Sequence, residues 1–499
     1  AQKTSTSSAS PPPLFLLGRP IAPNCSSSKP LFLRSVLRAC MMMSRNAFGR
    51  TLPRALHKSC CATGPRSCRG IVSTTAPSLQ YETAQAAGIK IANRGIGAPT
   101  TSIALVAKAG SRYEPFPGFS EALVQFAFKS TFKRSALRIT RETELLGSDI
   151  GSRHSRENII LQTKFLSGDL PYFVELLAEV ASQTKFSSYE LNELVINLIR
   201  FRQQALLVSP ENLALDGAHG LAFHRGLGNN IIPSSSTPFE QNLSTEALAE
   251  FAKAAYSKPN IALVAGGPNS TELSKWVGQF FADLPTSKPK EALPSHFYGG
   301  EQHIPSKSGN AIVMSFPGSS AFGTPGYKPE SAVLAALLGG ETSIKWTSGF
   351  SLLAKAAENF PRVRISTKNH AYSDAGLFAI TVSGKADQVS AASKSAVDAV
   401  KRVAAGDVAN EDVKKAIALA KFRALEAAQN LETSLEFTGS ALINCGKPYQ
   451  VSEIAQGFDR VTEQQVKGLA KSLLSEKASL VAVGDISQLP FSEDLGLTV

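Results

Sequence analysis

KAGSRYEPFPG at residues 108–118 runs on as FSEALVQFAFKST at residues 119–131, and together they read as a strand end, a turn and a helix. The apolar run at 102–108 (SIALVAK) leads in as the strand. The turn carries G-S-R-x-E at residues 110–114, and the amphipathic helix closes with F-K-x-T at 128–131. The same two periods recur along the body. Strands are expected at 158–162, 261–265, 311–316, 377–382 and 480–483, and helices at 170–183, 188–206, 245–256, 386–404, 410–427 and 462–474. The class is α+β.

A long-period echo then divides this body in two. Phe201-Arg202 near the end of one helix returns as Phe422-Arg423, 221 residues later, and Glu190 upstream of the first matches Glu411 upstream of the second. Each pair is followed by a small-residue helix ending in glycine, at 213–226 and 433–446. Each half then ends on a Thr-Glu helix start before a β-branched strand, ALVAG at 262–266 and LVAVG at 480–484. A shared order of elements over more than 200 residues means two duplicated domains. Their expected bounds are 80–285 and 306–499, with the proline- and glycine-bearing stretch 286–305 as linker.

The charge belongs to one end of the chain. The net charge is +12, yet residues 1–81 hold eleven Lys or Arg and no acid, so removing them leaves +1 for the rest. A nearly neutral body gives no electrostatic case for nucleic-acid binding. The basic, Ser-, Arg- and Ala-rich segment 1–75 has the composition of a mitochondrial transit peptide, with an uncleaved disordered tail as the alternative. Met41, Met42 and Met43 precede its amphipathic stretch, so residues 1–40 are readable as an upstream extension. Five cysteines (Cys25, Cys40, Cys60, Cys61, Cys68) lie in this segment and only Cys445 in the body, which leaves no CxxC clip and no internal disulfide there. No apolar run has the length of a membrane-spanning helix.

The G-S-R-x-E turn and the helix closing in F-K-x-T resemble the signature of the pitrilysin/insulinase peptidase family. The resemblance extends from about Tyr81 to Val499 and implies two homologous α/β domains, each a mostly antiparallel sheet with packed helices, closing as a clamp. In active members the helix carries HxxEH, two imidazoles for zinc and a glutamate that activates water. Setting 128–131 on the closing motif puts Glu121 at the first His, Val124 at the catalytic Glu and Gln125 at the second His, with the third ligand position at or near Arg200. Valine moves no proton, an amide is a poor zinc ligand and a guanidinium repels the cation. None of the seven His (His57, His154, His219, His224, His296, His303, His370) forms an HxxEH or HExxH pair, and their expected role is surface or core filling. No catalytic residue, metal or cofactor is expected. CxxCH, an iron–sulfur cysteine set and a nucleotide-binding glycine loop are also absent; Gly226–Asn230 (GLGNN) reads as a turn.

Inactive members of such a family persist as partners. The resemblance leaves two mitochondrial roles: a structural core subunit of the respiratory ubiquinol–cytochrome c oxidoreductase (complex III), or the non-catalytic alpha subunit of the processing peptidase. The alpha subunit carries a long glycine-rich loop, whereas residues 337–355 here contain only Gly339, Gly340 and Gly349, too few for a mobile loop. That stretch reads as helix, turn and helix. With AYSDAGL at 371–377 it favours the core-subunit role, which implies core protein 1, cytochrome b, cytochrome c1 and the Rieske subunit as partners, on the matrix side of the inner membrane and bound to it through partners only. Trp346, Phe350 and Leu352 are candidate interface residues, each with a core role as its first reading.

Overall fold

The computed structural model describes residues 80–95, 97–340 and 351–499. The basic leader, the inner part of the stretch 337–355 and, with it, Trp346 and Phe350 lie outside the described residues.

Two sheets carry the body. The first orders its strands β1-β2-β6-β3-β5-β4: β1 Glu82–Ala86, β2 Ile89–Arg94, β3 Thr100–Ala107, β4 Asp149–His154, β5 Ile159–Leu166 and β6 Ile261–Gly266. The second is β7-β11-β8-β10-β9: β7 Gly300–Pro305, β8 Asn310–Pro317, β9 Arg364–Ala371, β10 Gly376–Gly384 and β11 Ser479–Gly484. Without β1, the two orders superimpose strand for strand. Each holds one parallel pair, β2 with β6 and β7 with β11, among antiparallel neighbours. Two α/β units of matching strand order follow one another along the chain.

The apolar runs mark the central strands β3, β5, β6, β8, β10 and β11, because both faces of each sheet are covered; central β2 (IKIANR) carries no such run. β6 and β11 are buried at every residue. One face of the first sheet packs on helices of its own half, Phe119–Phe126 and Leu170–Gln183 among them. The opposite faces are covered by exchange. Helix Leu431–Cys445, from the second half, sets Leu435 and Leu442 on Ala104, Val106, Ala262 and Val264 of the first sheet. Helix Pro210–Phe223, from the first half, sets Ala214 and Ala218 on Val313, Val481 and Val483 of the second. These are the two small-residue helices of the repeat. Gly439 shows why they are small: a Cβ there would lie 2.4 Å from a methyl of Val106.

The linker reading 286–305 is corrected at its end. Residues Gly300–Pro305 are strand β7, paired in parallel with β11 through Gln302 opposite Val481. GEQHIP has no apolar run because an edge strand is bonded on one side only and partly solvated. Leu352 opens helix Leu352–Ala357 and is buried in the second core.

Candidate functional site

Gly118, left-handed at φ 102°, starts helix Phe119–Phe126, and Glu114 accepts hydrogen bonds from the amides of Gly118 and Ser120 at 3.2 and 3.1 Å. That cap takes up orphan donors of the first turn and fixes the angle at which the helix enters. Glu121 then points inward and is fully buried. It is surrounded by donors. His154 Nε2 lies 2.8 Å from one carboxylate oxygen, Arg202 Nη1 lies 2.6 Å from both, and Gln125 Nε2 donates to the other at 2.7 Å. Burial alone would raise the pKa of Glu121; the hydrogen bond and charge of His154, helped by Arg202 and Gln125, override it and hold the carboxyl at about 2. The group is therefore an anion already paired with the Arg202 guanidinium and hydrogen-bonded on both oxygens.

Val124, one turn on, is buried in the first core, and its carbonyl accepts a hydrogen bond from Ser152 at 2.9 Å. Its side chain can neither give nor take a proton. Glu121, Val124 and Gln125 thus lie on one helix as the sequence places them. Arg200 is elsewhere. It is exposed and forms a two-pronged pair with Glu240 at 2.8 Å. The guanidinium that reaches Glu121 belongs to Arg202, which the sequence marks only as half of the repeated Phe-Arg pair. Residues 200 and 202 face opposite sides of a helix, and a π turn at Leu191–Val195 shifts the phase of everything after it.

His154 is the residue that sequence reading misses. It sits on β4, a partly solvated edge strand with no apolar run, so the sequence predicts no strand there and gives no means of bringing the ring to Glu121. Among the described residues no group of three or more His, Cys, Asp and Glu stands where it could hold a metal ion. The cluster is chemically suited to fixing helix Phe119–Phe126 against β4 and helix Ile196–Val208.

The rest of the signature is structural too. Arg112, the arginine of the G-S-R-x-E turn, is buried and joins both halves: it donates to Glu157 at 2.8 Å, to Asp374 at 2.8 and 2.6 Å, and to the Leu293 carbonyl of the linker at 2.9 Å. Burial pulls its pKa down, but the Asp374 hydrogen bond and the Glu157 charge outweigh that and raise it. Gly110 fits against the β4–β5 turn where a Cβ would meet the Ser155 carbonyl at 2.4 Å. In the closing F-K-x-T, Thr131 donates to buried Glu179, and Ser130 donates to Glu190 at 2.8 Å.

Residues 91–232 match the insulinase family (peptidase family M16), and residues 242–419 match the peptidase M16 inactive domain. The mitochondrial cytochrome b-c1 complex subunit 2 of Neurospora crassa is 46% identical over 461 residues, spanning 92% of this chain and 100% of that protein. The alpha subunit of the mitochondrial-processing peptidase of Solanum tuberosum is 26% identical, spanning 83% of this chain and 84% of its own. One chain in the structure of complex III2 from Candida albicans with Inz-5 bound has the same fold, with a TM-score of 0.72 at 17% identity over 84% of this chain and 99% of that one. Combining the ion-paired Glu121, the proton-inert Val124 and these likenesses, the chain belongs to the insulinase (M16) peptidase family, as a non-catalytic member of the cytochrome b-c1 complex subunit 2 group.

Proposed function

We propose that this chain is a structural core subunit of mitochondrial complex III, needed to assemble and hold the ubiquinol-to-cytochrome c electron-transfer complex. The observation that carries the reading is the full-length, 46% identical fungal subunit 2 joined to a signature whose ligand positions serve ion pairing. Its partners are core protein 1 and the cytochrome b, cytochrome c1 and Rieske subunits, and those neighbours carry the redox chemistry. It sits peripherally on the matrix side of the inner membrane. Two observations support that placement: no helix among the described residues is long and apolar enough to cross a membrane, and the acid-free segment 1–81 has the composition of a matrix-directing leader. The vacated zinc positions are Glu121, Val124 and Gln125, with Arg202 rather than Arg200 as the cation that fills the space.

The likeness to the potato processing-peptidase subunit supports a second reading, in which the chain is an alpha-type partner that binds presequences. One experiment separates them. In native gels of detergent-solubilised mitochondria, cells lacking the chain should lose assembled complex III. A normal complex, together with loss of presequence cleavage, overturns the first reading in favour of the second.

A further inference from the structure

The duplication left two versions of one site. In the first half, helix Phe119–Phe126, β4 and helix Ile196–Val208 surround Glu121, and the Arg202 guanidinium closes the space. Their counterparts in the second half are helix Pro329–Leu338, β9 and helix Asn410–Gln429, with Arg423 standing 221 residues after Arg202. Here the helix presents Ala332 and Ala335 to the space, and no carboxylate among the described residues reaches Arg423. What remains is an open cleft of about 470 Å³, within the range of roughly 300–1,000 Å³ typical of small-molecule sites.

The cleft is lined mainly by apolar surface and by three cations. Phe322, Tyr327, Tyr449 and Phe437 form a continuous aromatic surface, with ring centroids 5.3 to 5.7 Å apart from one neighbour to the next, and the buried Ile454 and Phe458 line the cleft with them. Lys328, Lys368 and Arg423 line the space and are exposed, and among the described residues none of the three makes an ion pair or a side-chain hydrogen bond. One acid lines it, Glu157, and that carboxylate is already held by Arg112 at 2.8 Å and by the Ser373 hydroxyl at 2.6 Å. The charge facing a ligand is therefore positive, beside a chamber too apolar for a small hydrated anion. An aliphatic chain buries its methylenes on the aromatic and alanine wall while its acidic head meets the free cations.

We propose that this second-half cleft binds a single-chain anionic amphiphile of the fatty-acid class, its carboxylate at Lys328, Lys368 and Arg423 and its chain against Phe322, Tyr449 and Phe458. The assignment is independent of the assembly role and holds with or without it.

Equilibrium dialysis of the full-length chain against labelled palmitate, below the concentration at which palmitate forms micelles, tests this. One palmitate should bind per chain, and laurate should bind more weakly, by up to about fourfold per methylene removed. Hexadecylamine, equal in length and opposite in charge, should bind at least tenfold more weakly. Lys368→Glu and Arg423→Glu should each weaken palmitate at least tenfold while thermal unfolding stays unchanged, since both side chains are exposed. Equal binding of the amine and the carboxylate, or unchanged binding in both variants, overturns the proposal. So does binding of a five-residue alternating Glu/Phe peptide with no palmitate binding, because five consecutive β9 residues (367–371) also line the cleft and would make it a peptide site.

Discussion

Glu121 is charged at neutral pH although it is fully buried, and its three donors are the reason. Its pKa of about 2 in the fold lies below the ordinary carboxyl value of 4.5, so its stabilisation is complete above pH about 4.5 and is lost as pH falls towards 2. A shift of this size corresponds to about 3 kcal/mol. Glu121→Gln should thus cost about 2–4 kcal/mol at pH 7, by leaving Arg202 and His154 without their anion, and the gap to the unmodified chain should narrow through that window. Urea unfolding at a series of pH values measures it; a gap that stays constant down to pH 3 contradicts the ion-pair account. Two arginines give a sharper contrast. Arg200→Ala removes a surface pair and should change stability by less than about 1 kcal/mol. Arg112→Ala strips the partner from buried Glu157 and from Asp374 and should cost about 3–5 kcal/mol. Equal effects in thermal or urea unfolding would refute the placement of the two side chains. At this scale the sequence is legible where chemistry is local: Glu121, Val124 and Gln125 lie on one short helix and need only its period. His154 comes from an edge strand and Arg202 from beyond a π turn, so finding them requires the register of other elements.

Two helices decide the architecture of the elements around that site. Pro210–Phe223 and Leu431–Cys445 are the small-residue segments of the repeat, and each lies on the other half's sheet. Their glycines are contact points. Gly439→Val places a side chain into Val106 and should destabilise by about 1–3 kcal/mol or more. Gly278, within helix Ser270–Phe280, has open space where a Cβ would stand, with no neighbouring atom within 4 Å, so Gly278→Ala should be neutral or stabilise by up to about 1 kcal/mol. Chemical denaturation of both variants checks the pair, and a harmless Gly439→Val would contradict the exchanged packing. The periodic helices 170–183 and 245–256 emerge from the sequence almost to the residue, and the central strands β3, β6, β8, β10 and β11 to within two residues, since burial on both faces forces an unbroken apolar run. β5 runs four residues past its expected end, and central β2 (IKIANR) has no such run to announce it. The edge strands β1, β4, β7 and β9 do not emerge, because solvent on their outer side permits Glu, Arg, Gln and Lys. The exchange itself is also illegible: small residues announce close packing without naming the partner.

For the whole body, reciprocal exchange makes each half incomplete alone. Residues 80–290 without the second half would expose one face of β3 and β6, where Ala104, Val106 and Val264 now meet Leu435. The two halves should therefore be insoluble when expressed singly and should associate when co-expressed, and calorimetry of the intact chain should show one cooperative transition. Two resolved transitions would mean the halves fold independently. The same interlock suits a scaffold: Arg112 pins first half, linker and second half at one point, so a surface spanning both domains keeps its shape when neighbours bind. On the proposed reading, a peptidase frame is kept while the helix position expected to bind metal, Glu121, is held in an internal ion pair. Metal analysis of the purified full-length chain after dialysis against zinc tests it most directly. Far less than one zinc per chain is expected, with no change on Glu121→Gln. One tightly held zinc per chain, lost in that variant and accompanied by peptide cleavage, would contradict it.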